Sequence, residues 1–105
     1  MDYLKYDNCY NEEVPARVRY PAMRDALNRT GRDIFYSICN WGLEDTWQWG
    51  AETGNSWRTT MDIKGIWPSI QYNYRINSLH PEIAGPGGWN DPDMLEIGNG
   101  WLTQE

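Results

Sequence analysis

Cations are in short supply in this chain. Nine Lys and Arg face fifteen Asp and Glu, a net charge of −6 over 105 residues, whereas a protein that grips a phosphate backbone needs the opposite balance, clustered on one face. The charge thus argues against a nucleic-acid partner. Long apolar runs are missing too: none approaches the ~20 residues of a membrane span, and Met1 leads straight into a strand-like stretch with no signal-peptide pattern. There is one His, and the two Cys, Cys9 and Cys39, stand in no CxxC spacing, so a zinc site lacks its ligands. Carboxylates are plentiful but lack the alternating ligand loop of a Ca²⁺ site, and no metal or organic cofactor is expected. A chain of this length forms one domain at most, with a modest core.

What is abundant is indole and phenol. Seven Trp and seven Tyr stand against one Phe, and these flat apolar faces with a polar edge suit sugar rings as well as protein interfaces.

Along the chain, Leu4 and Tyr6 alternate with Lys5 and Asp7, the period of a strand, and Asp7-Asn8 begins turn chemistry. This sets Asp7 at the carboxyl end of a strand with Lys5 on the same face. Val14, Val18, Ala22 and Ala26, with Met23 and Leu27, predict a helix with Pro15 in its first turn, kinked or split at Pro21 and ended by Gly31. Ile34 to Ile38 predicts a second strand. Residues 42–55 read as a long loop with one helical turn near Trp47 to Trp49, and Ser56 to Ile63 as a third strand. On that strand Arg58 and Asp62 share a face, about 13 Å apart. Ile66, Ile70, Tyr74 and Leu79, with Pro68 in the first turn, predict another helix, and Gly85-Pro86-Gly87-Gly88 leads to a short run at Trp89-Asn90. Leu102 to Glu105 reads as a helix start, and with a strand so near the other end the chain is expected to be a piece of something longer.

Strand ends recur at Asp7, Ser37, Asp62 and Asn90, separated by 30, 25 and 28 residues. A strand returning every ~30 residues through a helix is the βαβ unit, so the fold class is α/β with a parallel sheet. In such sheets the chemistry sits at the carboxyl edge, here at Asp7, Asp62 and the Asp91/Asp93 pair. Two carboxylates across a pocket suit glycosidic cleavage. Asp7 and Asp62, two strand spacings or about 9.6 Å apart, could lean in toward the ~5.5 Å of a retaining pair. Acidic turn residues capping the next helices, or a Lys/Asp pair on an exposed edge strand, fit the same pattern.

The words around these residues are more specific. Leu4-Lys5-Tyr6-Asp7-Asn8-Cys9, Trp57-Arg58-Thr59-Thr60-Met61-Asp62-Ile63 and Gly87-Gly88-Trp89-Asn90-Asp91-Pro92-Asp93-Met94-Leu95 closely resemble glycoside hydrolase family 27, the α-galactosidases and α-N-acetylgalactosaminidases. Asn28-Arg29-Thr30-Gly31-Arg32 and Ser37-Ile38-Cys39-Asn40-Trp41-Gly42 fit the same family. The resemblance implies a partial (β/α)₈ TIM barrel, residues 1–105 being one segment with about strands four to seven. The first barrel strands and the family's C-terminal β-domain are absent from it.

Carried over by residue, the resemblance implies Asp7 as nucleophile and Asp62 as acid/base. It makes Lys5 a binder of ring hydroxyls, Arg58 a neighbour of the 2-hydroxyl, and Asp93 and Met94 parts of the pocket wall. Asn40 and Leu43 fall where family members discriminate the 2-substituent; the bulky Leu43 favours galactose over an acetamido sugar, while Asn40 departs from the glutamate that some galactosidases carry. Trp41 is the first candidate among Trp41, Trp47, Trp49 and Trp57 for lining the pocket, although each fits a core as well. Cys9 and Cys39 match a disulfide pair, with two free buried thiols as the alternative. The implied partner is an α-galactoside together with the rest of the barrel, and the parent enzyme is expected to be secreted, vacuolar or lysosomal. Other family specificities, α-N-acetylgalactosaminidase or β-L-arabinopyranosidase, and an inactive sugar-binding piece are the rival expectations. His80 reads as a solvated loop histidine, and Asn28-Arg29-Thr30 is a glycosylation acceptor pattern.

Overall fold

The computed structural model describes residues 1–103; of the helix start expected at the carboxyl end, Gln104 and Glu105 lie outside the described residues. Four strands, β1 (Tyr3–Asp7), β2 (Phe35–Cys39), β3 (Ser56–Arg58) and β4 (Trp89–Asp91), form one sheet in the order β1-β2-β3-β4. All three pairings are parallel, with Asp7 opposite Cys39 and Arg58 opposite Asp91. The helices are α1 (Ala16–Arg29), α2 (Gly50–Thr53) and α3 (Trp67–Asn77), with 3-10 turns at Thr46–Gln48 and Pro81–Ile83. Consecutive strands as parallel neighbours, joined through helices, are what the ~30-residue recurrence predicts. Among the described residues no helix is long and apolar enough to cross a membrane.

The core lies on one face of the sheet. Tyr36, Ile38 and Trp57 pack with Leu4 and Tyr6 against Ala16, Tyr20, Met23 and Leu27 of α1, and Trp49 closes the group. Trp57 is wholly buried, its indole N–H donating to Asn90 Oδ1 at 2.7 Å. A Cβ on Gly88 would stand 2.8 Å from this ring, so the glycine before β4 is there for the indole. The opposite face is bare at β1: Tyr3, Lys5 and Asp7 are exposed, and the Tyr3 and Phe35 rings stack in the open at 5.4 Å.

Several expectations shift. Helix α1 begins after Pro15, which serves as its N-cap, and runs unbroken past Pro21. The proline removes only the N–H that would reach the Arg17 carbonyl, and core contacts from Ala16 and Tyr20 before it and Met23 and Leu27 after it hold both halves to one sheet. The predicted stripe holds at Met23 and Leu27, which pack on the core, and fails at Val14 and Val18, which are exposed while Tyr20 is buried, because Tyr20 packs on Tyr6 at 4.9 Å and Trp49 at 6.0 Å. Helix α3 stops at Asn77, leaving Leu79 and Tyr74 exposed while Ile70 and Asn73 are buried. The loop of residues 42–55 is more ordered than expected, holding a 3-10 turn and α2.

The largest correction concerns the third strand, which ends at Arg58 instead of continuing to Ile63. The Arg58 guanidinium is buried, and a buried cation must collect opposite charge and acceptors or be destabilising. Residues 59–63 accordingly wrap around it, and the two side chains expected about 13 Å apart along a strand form an ion pair at 3.1 Å.

Candidate active site

Parallel pairing brings the last residues of the strands to one edge: Asp7, Cys39, Arg58 and Asp91. At Asp7 the two carboxylate oxygens differ. Oδ1 accepts the Asn8 backbone N–H at 2.7 Å and the Cys9 thiol at 3.5 Å; among the described residues Oδ2 meets the Cys39 thiol alone, at 3.8 Å. Sulfur is a weak donor, so Oδ2 is the less committed oxygen. Asn8 is buried, its side-chain oxygen accepts from Arg19 of α1, and its carbonyl accepts Asn11 Nδ2. Helix α1 thus holds the turn that carries Asp7, a link invisible in the sequence because Asn8 reads only as a turn former.

Arg58 is the hub of the other half. Nη1 donates to Asp62 Oδ1 at 3.1 Å and approaches Cys39 Sγ at 3.8 Å; Nη2 pairs with Asp93 Oδ2 at 2.9 Å and donates to the Thr60 carbonyl at 3.2 Å. Asp93 is fixed in turn by the backbone N–H groups of Ile63 and Met94. The Asp62 side chain is 70% exposed, so the arrangement presents a carboxylate to the open side while anchoring it from behind. Lys5 is exposed on the same sheet face as Asp7.

Electrostatics tie these groups together at one sulfur. The Cys39 thiol is pushed up to about 11, mainly by burial; the charges of Asp7 and Asp62 raise it further, and those of Lys5 and Arg58 oppose them. Cys9 is shifted upward as well, by lost hydration first, then by its bond to Asp7 and the charges of Asp7 and Asp62. The charges of both carboxylates thus raise both thiols.

Other expected site residues divide. Leu43 and Met94 are exposed, and Trp41 is half-buried at the start of the turn that follows β2. Trp41 and Gly42 both have positive φ, +61° and +74°, and a side chain on Gly42 would run into the Thr59 carbonyl, so this turn is locked against the loop after β3. Asn40 is fully buried: its amide donates to the Leu43 carbonyl at 2.6 Å and its oxygen accepts from Thr46 at 2.7 Å. It braces the turn that presents Leu43 and does not itself face the open side. Arg58 is likewise enclosed, a support for Asp62 more than a surface for a ligand. Trp49 and Trp57 are core. Trp47 stacks on His80 at 3.9 Å, and His80 Nδ1 lies 3.1 Å from Glu82, so His80 is not the merely solvated residue the sequence suggested. The structure does not show the disulfide expected between Cys9 and Cys39: it holds exposed Cys9 and buried Cys39 as thiols, one on each oxygen of the Asp7 carboxylate.

A cleft of about 200 Å³ lies between Trp47, His80, Asp45, Asn77 and Leu79 and touches Arg58, but neither Asp7 nor Asp62 lines it. Both carboxylates are exposed, and among the described residues no pocket encloses them.

Comparison with known proteins bears on the family and the fold. The family model described as alpha galactosidase A matches residues 1–105. Alpha-galactosidase 3 of Arabidopsis thaliana is 59% identical over 105 residues, all of this chain and 24% of its own length. The α-galactosidase structure from Saccharomyces cerevisiae superposes with a TM-score of 0.89 at 40% identity, covering 97% of this chain and 28% of that one. A β-L-arabinopyranosidase structure from Geobacillus stearothermophilus (a D197A variant in complex with arabinose) matches at 25% identity and a TM-score of 0.79, over 92% of this chain and 23% of its own. The chain thus spans about a quarter of the length of the relatives it matches, and it belongs to the alpha-galactosidase A family of glycoside hydrolases.

Proposed function

We propose that this chain is the part of a retaining α-galactosidase that carries both catalytic carboxylates, its four strands serving as about strands four to seven of a (β/α)₈ barrel. The first barrel strands and a C-terminal β-domain would come from other parts of the protein. The observation that carries the reading is the placement of both carboxylates at the carboxyl edge of the sheet, Asp7 at the end of β1 and Asp62 held at 3.1 Å by Arg58, the last residue of β3. Asp7 Oδ2 attacks the anomeric carbon as the glycosidic C–O bond breaks, and Asp62 gives its proton to the leaving oxygen. Asp62 then takes a proton from water, whose oxygen attacks the same carbon and frees galactose and Asp7. Lys5 holds ring hydroxyls, while Asp93 and Met94 form part of the wall. Leu43, exposed at the rim and held by Asn40, fills the space a 2-acetamido group would need, which favours plain galactose. The identity of 59% to an α-galactosidase against 25% to a β-L-arabinopyranosidase supports the same choice. The parent enzyme is secreted, vacuolar or lysosomal, and Asn28, exposed near the end of α1, is available for glycosylation.

The test is covalent trapping. An activated fluorinated galactoside incubated with the full-length protein should leave a stable glycosyl ester, and peptide mapping should find it on Asp7. A label on another carboxylate would reassign the nucleophile, and hydrolysis with inversion of the anomeric centre would reject the double-displacement scheme.

A further inference from the structure

In the reaction above, the departing oxygen must come within hydrogen-bond reach of Asp62, so the leaving group lies against the loop that follows β3. That loop is laced to the one that follows β4. The Ile63 N–H donates to Asp93 Oδ2 at 3.0 Å, and the Trp101 N–H donates to the Gly65 carbonyl at 2.8 Å. Between these ties the two backbones touch: a Cβ on Gly65 would stand 2.9 Å from the Asn99 carbonyl oxygen, and one on Gly100 2.7 Å from the Gly65 carbonyl oxygen. A side chain fits neither place, and Leu102, buried, pins the far end of the second loop. On this fixed mount Trp101 is 87% exposed, and Met94, Leu95 and Ile97 of the same loop and Trp67 at the start of α3 are exposed as well. Apolar side chains left together in water mark a binding surface. Three residues lead from Asp62 to Gly65, so the Trp101 backbone lies within about 16 Å of the Asp62 backbone even for a fully extended path, the span of a short saccharide.

We propose that Trp101 is a platform for the leaving group, and that the leaving group it takes is a further sugar ring. The proposal rests on the assignment of Asp62 above. An indole offers a flat apolar face on which the C–H face of a pyranose can stack. Lys64 and Asn99, exposed on the same two loops, offer polar groups that match ring hydroxyls and that an acyl chain would desolvate without return. The platform holds the leaving sugar alike in the bound substrate and in the transition state, so it acts on KM and spares kcat.

Two substrates and one binding measurement test this in the full-length protein. Trp101→Ala should lower kcat/KM for a galactosyl oligosaccharide about tenfold relative to that for α-galactosyl fluoride, whose leaving group has no ring to stack. The loss should lie in KM, and Trp101→Phe should recover most of it. In an Asp7→Asn background, where turnover should be lost, calorimetry should show the oligosaccharide binding about tenfold more tightly than methyl α-galactoside, and adding Trp101→Ala should close that gap. An unchanged ratio of the two substrates would overturn the platform, as would a gap that survives Trp101→Ala. A fall in Tm or a change of oligomeric state with the ratio unchanged would overturn it too, and would make Trp101 a contact for another part of the protein or for a second copy. A parent that hydrolyses neither substrate would overturn the assignment of Asp62 and the platform with it, whereas a parent that hydrolyses both, in a ratio indifferent to Trp101, would overturn the platform alone.

Discussion

The two faces of the sheet are built on opposite terms. On the face against α1, Leu4, Tyr6, Tyr36, Ile38 and Trp57 meet a helix that supplies Ala16, Tyr20, Met23 and Leu27. A fully buried aliphatic side chain there, such as Ile38, contributes roughly 1.5–3 kcal/mol. On the other face β1 alternates Tyr3, Lys5 and Asp7 into the open, and two carboxylates stand at the carboxyl edge; among the described residues the Ser37 hydroxyl and the Arg58 Nε are buried without partners, as is the Tyr20 hydroxyl on the helix side. One face is finished and the other is half of something. The difference separates the residues that make the segment fold from those that make it act, and the separation can be broken from either side.

The largest effect should come from withholding whatever covers the open face. Among the described residues β1 and β4 each have a neighbour on one side only, and unpaired edges with exposed rings favour aggregation. Residues 1–105 expressed alone should show no hydrolysis of p-nitrophenyl α-galactoside and should elute as aggregates on gel filtration. A monodisperse species with Asp7-dependent activity would mean that the chain completes its own site. Next, on the finished face, Trp57→Ala removes the central side chain and its bond to Asn90, and should cost about 3–5 kcal/mol of stability in the full-length protein, read as a drop in the denaturant midpoint. A smaller loss, about 1–3 kcal/mol, is expected for Gly88→Ala, which pushes a methyl group into the same indole. If either variant cut turnover with stability intact, the division between the faces would fail.

Parts of this architecture were legible in the sequence for definite reasons. The ~30-residue return of strand ends is a local, repeated signal, and Asp7 is placed by alternation within five residues. What was misread depends on partners far away in the chain. Extending the third strand to Ile63 looked sound because Ser56 to Ile63 alternates well; the Asp93 side chain that accepts the Ile63 N–H comes thirty residues later and turns the segment into a loop around Arg58. Tyr20 was passed over because an aliphatic stripe ran beside it, though two aromatic partners from β1 and the 42–55 loop decide the phase of α1. Asn40 reads as a polar residue at a strand end, and only the Thr46 hydroxyl and the Leu43 carbonyl reveal it as a brace.

The pairing of Asp7 with Asp62 is the claim on which the rest depends, and the leaving group tests it most directly. In the full-length protein, Asp62→Asn removes the proton that the leaving oxygen needs and keeps the side chain's shape, so kcat/KM should fall steeply on natural α-galactosides and far less on an aryl galactoside whose phenolate departs unaided. A general acid of this kind is worth roughly 10²–10⁴-fold, and the gap between the two substrates should approach that range. Equal losses on both would contradict the account, because Asp62 would then be holding Arg58 in place without supplying the proton.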